Sequence, residues 1–369
     1  MYYIGVMSGT SLDGIDVAIT EFSSNGSFQL IAANTYSFPD ELHRKIKRLI
    51  IEAHSSLHEL GCIDIALGQL IGNSINHLLI EHNILNSDVM AIGSHGQTIF
   101  HYPINDTPFS HQIGNANVIA ELTGITTIAD FRQRDIAAGG QGAPLVPAFH
   151  KALFSSDTED RVIINIGGIS NISYLPASAE QPVLGFDTGP GNTLLDHWVN
   201  VQLGRTFDAY GKWAATGKIS EQLLSTLLNE TYFTKSIPKS TGRELFNPSW
   251  LDSMLSEFSA NLAAEDVQAT LVELTAQSIA KHIHKYTPNS KTIFICGGGA
   301  HNTYLLSRLQ EILEPKRITT TEDLGLHPDW VEASAFAWLA YRTINKKPGN
   351  LPSVTGAEHS VVLGAIYPA

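Results

Sequence analysis

Two glycine-rich turns, each between a pair of short apolar segments, constrain the fold of this chain most. The first turn runs Gly9-Thr10-Ser11-Leu12-Asp13-Gly14, and the second runs Gly167-Gly168-Ile169-Ser170-Asn171. The flanking segments have the length and composition of β-strands, so each turn is predicted to be a hairpin tip. Glycine lets the backbone N–H groups of such a tip approach an anion closely. Two tips of this kind predict two related lobes with a nucleotide between them.

The order of the predicted elements supports this duplication. Three strand candidates open each half of the chain: 2–7, 15–22 and 28–36 in the first half, and 161–166, 171–175 and 182–186 in the second. Amphipathic helices and a buried strand follow in both halves, which is typical of α/β domains. The sequence therefore predicts a first lobe of residues 1–135 and a second lobe of residues 136–369. The C-terminal segment is a candidate to pack back on the first lobe.

Composition excludes several classes of partner. The 369 residues carry a formal net charge of −13 without a dense run of Lys and Arg, so nucleic acid is not an expected partner. No apolar segment approaches the ~18 residues of a membrane span, and the first residues lack the pattern of a secretory signal. The two cysteines and 15 histidines show no metal-ligand spacing, so no transition-metal site is expected. These observations predict a cytoplasmic protein that binds no membrane.

The first turn combines backbone donors with a carboxylate. Thr10 and Ser11 add hydroxyl donors, and Asp13 could hold Mg²⁺ or its waters, because this cation prefers oxygen ligands. A plain β-turn is the alternative for both glycine-rich turns, since Gly, Ser and Asp are common in turns. The Gly-Lys-Ser/Thr ending of a P-loop is missing here.

The segment Gly185-Phe186-Asp187-Thr188-Gly189-Pro190-Gly191-Asn192 has the strongest catalytic character. Asp187 is predicted at the end of a buried strand, where α/β sheets place ligands. A carboxylate at that position could act as a general base close to a γ-phosphate. The alternative is an aspartate that caps the following helix.

Three other segments are candidates for binding. Gly297, Gly298 and Gly299 join a strand to a helix, and they would let an adenosine approach the backbone, although a sharp turn is the alternative. His95 lies in a polar segment after a strand. Arg132 could clamp a substrate carboxylate bidentately, whereas internal salt bridges of Arg132 and Arg134 with Asp130 and Asp135 are the favoured alternative at this point.

Seven segments in one order resemble the anhydro-N-acetylmuramic acid kinase family. They are Ser8-Gly9-Thr10-Ser11-Leu12-Asp13-Gly14, Gly93-Ser94-His95-Gly96-Gln97-Thr98, Ala129-Asp130-Phe131-Arg132, residues 139–147, Asn165-Ile166-Gly167-Gly168-Ile169, Phe186-Asp187-Thr188-Gly189-Pro190-Gly191-Asn192 and Cys296-Gly297-Gly298-Gly299. The resemblance implies an actin/hexokinase-like α/β fold, with two ribonuclease-H-like lobes and an ATP cleft between them. It also implies conversion of 1,6-anhydro-N-acetylmuramic acid to N-acetylmuramic acid 6-phosphate in cell-wall recycling.

The resemblance further implies roles for individual residues. It places ATP phosphates on the first tip and the catalytic carboxylate at Asp187, which would activate a water that opens the anhydro bridge. The expected ATP-binding residues are Gly9, Thr10, Ser11, Leu12, Asp13, Gly14, Ile15, Asp16, Gly167, Gly168, Gly297, Gly298 and Gly299. Mg²⁺ is expected near Asp13, and Arg132, His95 and Glu332 are the candidates for the sugar.

Other functions stay open at this point. A different sugar or acid kinase of the same fold is the nearest alternative. A nucleotide-driven chaperone or filament protein and an ATP sensor without turnover are the others. The resemblance also suggests a homodimer.

Overall fold

The structure, a computed structural model, describes residues 1–9, 12–23, 27–103, 106–242, 244–256, 258 and 262–369. The strands are β1 Tyr2–Ser8, β2 Ile15–Phe22, β3 Phe28–Tyr36, β4 Val89–Tyr102, β5 Phe109–Ile113, β6 Thr127–Ala129, β7 Arg161–Ile166, β8 Ile169–Leu175, β9 Leu184–Pro190, β10 Thr292–Cys296, β11 Arg317–Thr320 and β12 Ala365–Tyr367. The helices are α1 Asp40–Glu52, α2 Leu57–Glu81, α3 Ala116–Thr123, α4 Phe131–Ile136, α5 Val146–Phe154, α6 Thr193–Leu203, α7 Glu221–Leu228, α8 Pro248–Ser256, α9 Ala264–Tyr286, α10 Thr303–Leu313, α11 Val331–Ile344 and α12 Pro352–Thr355.

The chain folds into two compact units. Unit 1 comprises Met1–Leu153 and Trp330–Ala369, and unit 2 comprises Phe154–Asp329. Both ends of the chain thus build unit 1, and unit 2 is an insertion in its sequence. The break between the units lies later than the predicted lobe boundary after residue 135, because most of α5 packs with unit 1.

Unit 1 is organised around a mixed sheet with the order β12-β6-β4-β1-β2-β3, and β5 extends β4 as a hairpin. β1 pairs antiparallel with β2 and parallel with β4. The strand β1 is buried along nearly its whole length, without alternation, as expected for a strand that is covered on both faces. Buried side chains of α1 and α2 contribute to the core that packs against it.

Two strand glycines explain why α11 belongs to unit 1. A Cβ atom on Gly5 in β1 would overlap the carbonyl oxygen of Ala333, and one on Gly93 in β4 would overlap the carbonyl oxygen of Phe336. The backbone of α11 therefore lies directly on the sheet at two adjacent strands. Glycine inside a strand often marks such a close backbone approach.

Unit 2 repeats the same sheet pattern. Its strand order is β11-β10-β7-β8-β9, with β7 antiparallel to β8 and parallel to β10. Each unit thus opens with an antiparallel three-stranded meander and adds parallel strands beside its first strand. This repetition confirms the predicted α/β fold with two related lobes. No helix in the described part of the chain is long and apolar enough to cross a membrane.

Candidate active site

The tip between β1 and β2 is anchored by an apolar side chain. Regular pairing ends at Met7 opposite Asp16, and the Leu12 N–H donates to the carbonyl oxygen of Gly9 over 3.3 Å. Leu12 adopts a left-handed φ of 61°, a conformation that costs a residue with a Cβ about 1–2 kcal/mol, and its side chain is buried in the unit 1 core. Burial of Leu12 offsets this cost. Thr10 and Ser11 lie outside the described residues.

The two carboxylates of this hairpin differ in their surroundings. Asp16 accepts a hydrogen bond of 2.7 Å from the Thr35 hydroxyl on β3, so the sheet holds it, whereas Asp13 is exposed at the tip. Among the residues that the structure describes, no group of three or more His, Cys, Asp and Glu side chains could hold a metal ion. Mg²⁺ is commonly bound by one or two carboxylates together with substrate phosphates. An exposed Asp13 fits that type of site.

His95 and Arg132 form a hydrogen-bonded pair in unit 1. The Arg132 Nε donates to His95 Nε2 over 3.0 Å, and the Arg132 Nη1 donates to the carbonyl oxygen of Gly142 over 2.8 Å. His95 Nδ1 lies 2.8 Å from the carbonyl oxygen of Gly96 and donates to it. Burial, reinforced by the charge of Arg132, lowers the pKa of His95 well below its ordinary value. His95 is therefore a neutral imidazole that orients Arg132.

The acidic residues near Arg132 have other partners. Asp135 is fully buried and accepts from the Gly142 N–H and from the side chains of Asn350 and Thr355, each over 2.8 Å. Asp130 accepts from the Tyr367 hydroxyl over 2.6 Å. These bonds differ from the salt bridges that the sequence favoured, because Asp135 ties together two loops instead.

Glu332 lies in the first turn of α11, one helical turn before Phe336. Residues four apart share a helix face, and the ring of Phe336 packs on His95 with centroids 4.7 Å apart. The structure therefore places Glu332, His95 and Arg132 in one part of unit 1. His95 is also close to the first tip, since the Ser8 backbone at the end of β1 contacts its ring.

In unit 2, the second tip is tied to the start of α6. The carbonyl oxygen of Gly167 accepts from the Asn192 N–H over 2.8 Å. The carbonyl oxygen of Gly168 accepts from the N–H groups of Gly191 and Thr193 over 2.9 and 3.1 Å. Outside the strand ladders, the described bonds of the two tip glycines use only their carbonyl groups. The tip is thus held through its carbonyl groups, and its N–H groups suit the predicted phosphate contact.

The three consecutive glycines lie against the same end of the unit 2 sheet. Gly297 has a φ of 76°, and a Cβ there would overlap the side-chain oxygen of Asn165 on β7. A Cβ on Gly299 would overlap Ile166 in the same way. Packing therefore explains Gly297 and Gly299, but at Gly298 the nearest atom to a Cβ is Asn192 Nδ2, 3.7 Å away. The open space at Gly298 is where a ligand could approach the backbone.

Asp187 lies inside β9 and not at the end of a strand, because β9 continues to Pro190. A β-bulge interrupts the β8–β9 pairing here, since Ser170 pairs with Gly189 and Asn171 with Asp187. Bulges often redirect a side chain next to an active site. The predicted alternative of a helix cap is wrong, because α6 begins at Thr193 with Asn192 in the N-cap position.

A distant segment positions Asp187 from both its backbone and its side chain. The Thr241 N–H donates to Asp187 Oδ2 over 2.9 Å, and the Tyr232 hydroxyl donates to the Asp187 carbonyl oxygen over 2.8 Å. The Asp187 N–H donates to the carbonyl oxygen of Lys239 over 3.2 Å. These three bonds hold a partly buried carboxylate in one orientation.

Lys239 is a buried cation that the sequence did not single out. Its Nζ donates to the carbonyl oxygen of Tyr232 over 3.0 Å and lies 4.2 Å from the centre of the Tyr232 ring. Burial lowers the pKa of the Lys239 ammonium to about 8. The segment carries no motif, and only its contacts with β9 reveal its role.

Comparison with known proteins agrees with the resemblance of the motifs. The family model described as anhydro-N-acetylmuramic acid kinase matches residues 1–369. A protein of that name from Pasteurella multocida (strain Pm70) is 51% identical over 369 residues, which cover 100% of this chain and 97% of the relative. Another from Coxiella burnetii (strain Dugway 5J108-111) is 50% identical over 365 residues, which cover 99% of this chain and 97% of the relative.

Among solved structures, component A of (R)-2-hydroxyglutaryl-CoA dehydratase from Acidaminococcus fermentans matches with a TM-score of 0.47 and 12% identity, covering 94% of this chain and 100% of that one. Similarity of that degree carries no inference about function. The family model matches the whole chain, and relatives about 50% identical align over nearly its full length. These two findings do support an inference about function. This chain belongs to the anhydro-N-acetylmuramic acid kinase family.

Proposed function

We propose that this protein uses ATP and water to convert 1,6-anhydro-N-acetylmuramic acid into N-acetylmuramic acid 6-phosphate and ADP. Membership of the family makes the chain an ATP-dependent sugar kinase of cell-wall recycling. The observation that carries the chemical proposal is the position of Asp187, which sits on a bulged strand and is held by Thr241, Tyr232 and Lys239.

The substrate explains why a kinase of this kind needs a base for water. In the anhydro sugar the 6-oxygen is an ether that bridges to the anomeric carbon, so it has no proton to remove. Asp187 accepts a proton from a water molecule as the water oxygen bonds to the anomeric carbon. The bond between that carbon and the 6-oxygen breaks, the 6-oxygen bonds to the γ-phosphorus, and the bond from this phosphorus to ADP breaks.

The glycine-rich loops supply the phosphate contacts in this proposal. Gly9 to Asp16 in unit 1, and Gly167, Gly168 and the three glycines from Gly297 in unit 2, would offer backbone donors, and the glycines among them let an anion approach closely. Asp13 would hold Mg²⁺, which neutralises charge on the transferred phosphoryl group when bound. That one ATP molecule contacts the loops of both units stays a prediction.

The sugar-binding proposal rests on Arg132, His95 and Glu332. The lactyl carboxylate of the substrate needs a cation, and Arg132 is oriented by bonds from two of its nitrogens. The neutral His95 fixes the guanidinium plane without adding a second positive charge. Glu332 would accept hydrogen bonds from sugar hydroxyl or amide groups.

Mass spectrometry of the reaction products tests the proposal. The protein is incubated with ATP, Mg²⁺ and the anhydro sugar in water enriched in ¹⁸O. The expected product is N-acetylmuramic acid 6-phosphate with one ¹⁸O at the anomeric carbon. Label that enters only inorganic phosphate would show that ATP hydrolysis is not coupled to ring opening. A panel of other sugars and of carboxylic acids separates this reaction from that of a different kinase, and a lack of any turnover favours an ATP sensor.

A cytoplasmic location and a homodimer stay predictions.

A further inference from the structure

A cavity of about 210 Å³ in unit 2 is lined by cations behind the segment that holds Asp187. Lys281 and Lys285 stand one turn apart on α9, and Lys235 faces the cavity from the segment that follows α7. The rest of the lining comes from Phe233, Thr234, His282 and Tyr286. We call this the lysine cavity.

The charge of the lysine cavity is not neutralised within the described residues. None of the ion pairs in the part of the chain that the structure describes involves Lys235, Lys281 or Lys285. Like charges four residues apart on a helix destabilise it by about 0.2–0.5 kcal/mol. This concentration of positive charge stands out in a chain whose formal net charge is −13.

This concentration of charge affects the pKa values of two buried side chains, Lys239 and His282. Burial and then the charges of Lys281 and Lys285 lower the pKa of Lys239 to about 8, against the opposing effect of Asp187. Burial also lowers the pKa of His282 to about 4, and Lys239, Lys281 and Lys285 add to that effect. The positive potential therefore extends from the lysine cavity to the neighbours of Asp187.

We propose that the lysine cavity binds a phosphate group, either as inorganic phosphate or as the head of a phosphate monoester. Three ammonium groups match a phosphate dianion better than a singly charged carboxylate. The cavity is smaller than the ~300–1,000 Å³ of sites for drug-sized ligands, which favours a small anion over a nucleotide. No part of the lysine cavity belongs to the glycine-rich loops.

Binding there is coupled to Asp187 through a short chain of contacts. Lys235 follows Tyr232 and Phe233 in sequence, and the Tyr232 hydroxyl donates to the Asp187 carbonyl oxygen. An anion that bridges Lys235 to Lys281 and Lys285 replaces their repulsion with attraction. It therefore stabilises the segment 231–241 in the position that holds Asp187.

Isothermal titration calorimetry at low ionic strength tests the binding, with inorganic phosphate in one arm and N-acetylmuramic acid 6-phosphate in the other. The double variant Lys281→Gln/Lys285→Gln is expected to lose one binding component, with affinity for it falling about fivefold or more. The control Lys218→Gln/Lys291→Gln makes the same charge change at exposed positions of unit 2 and keeps the component. Lys235→Gln repeats the test from a different element.

Hydrogen exchange read by mass spectrometry tests the coupling in the same samples. Saturating phosphate is expected to slow exchange in peptides that cover 231–241 in the wild type and in the control, but not in the double variant. The arm that gives the tighter binding identifies the source of the phosphate group. Equal binding by wild type and double variant, or unchanged exchange over 231–241, would overturn the proposal. Neither readout depends on kinase turnover, so this result is separate from that of the proposed reaction.

Discussion

The Nε of Arg132 donates to Nε2 of His95 over 3.0 Å, and this bond, together with the burial of the ring, keeps the imidazole neutral. With Nε2 accepting and Nδ1 donating to the Gly96 carbonyl oxygen, both ring nitrogens are satisfied in the neutral form. Protonation of Nε2 would break the bond to Arg132 and place two positive charges side by side. Arg132 thus keeps one orientation over the pH range in which an ordinary histidine titrates.

Replacement of Arg132 by alanine is expected to raise the KM for the anhydro sugar by about tenfold or more, with a smaller effect on the KM for ATP. The reason is the loss of a fixed cation for the substrate carboxylate. Steady-state kinetics with each substrate varied measures this change. Arg134→Ala, on the same short helix and exposed, is the matched control and should leave both constants near normal. An unchanged KM for the sugar in Arg132→Ala would remove Arg132 from the binding site.

Asp187→Asn is expected to lower kcat by about 10²–10⁴, which is the usual contribution of a general base. This loss corresponds to ~3–5 kcal/mol of transition-state stabilisation. The asparagine oxygen can still accept from the Thr241 N–H, so the thermal stability and the affinity for ATP should change little. Asp157→Asn, at an exposed position of unit 2, is the control. Turnover near the wild-type rate in Asp187→Asn would exclude a catalytic role.

Gly298→Ala is expected to weaken ATP binding alone, whereas Gly297→Ala is expected to lower folding stability as well. The methyl group at Gly298 meets no protein atom closer than 3.7 Å, so stability should be kept while the KM for ATP rises. At Gly297 the φ of 76° and the overlap with Asn165 should cost about 1–3 kcal/mol of folding stability as well. Urea unfolding and ATP titrations separate the two effects. A normal affinity for ATP in Gly298→Ala would argue against this loop as a nucleotide site.

Lys239 is expected to make the free energy of unfolding increase with pH in the alkaline range. Its pKa is about 8 in the folded protein and near 10.5 when unperturbed, so between these values the unfolded chain binds more protons. Stability from this group therefore rises as the pH rises through that window, by about 3 kcal/mol in total. Urea unfolding of wild type and Lys239→Met from pH 7 to pH 10.5 isolates the contribution. A difference between the two proteins that stays constant with pH would contradict a depressed pKa.

Local patterns predicted the strands and helices that carry the loops. Apolar segments and glycine-rich turns indicated both hairpins, and the predicted helices and buried strand follow them in each half. His95 was predicted to follow a strand, but it lies within β4, because residues Gly93 to Thr98 continue that strand. Polar side chains are accommodated inside this strand, since the Ser8 hydroxyl donates to Gln97 Oε1 over 2.6 Å.

The support of Asp187 could not be predicted from sequence. Tyr232, Lys239 and Thr241 are far from Asp187 along the chain, and nothing in their composition marks them as partners of a carboxylate. The β-bulge that redirects Asp187 also has no local signature, since it depends on how β8 and β9 pair. In contrast, Gly5 and Gly93 did leave a signal, because glycine is rare inside an apolar strand unless something packs against it.

The position of α11 on Gly5 and Gly93 affects how the newly made chain folds. Residues 1–153 leave the ribosome long before α11 is made, so the flat glycine surface of β1 and β4 stays uncovered while all of unit 2 is synthesised. Unit 2 is continuous in sequence and can complete its own core during that interval. The N-terminal part of unit 1 is therefore completed only when the last forty residues are made, and a chain truncated before them would expose the glycine surface of β1 and β4.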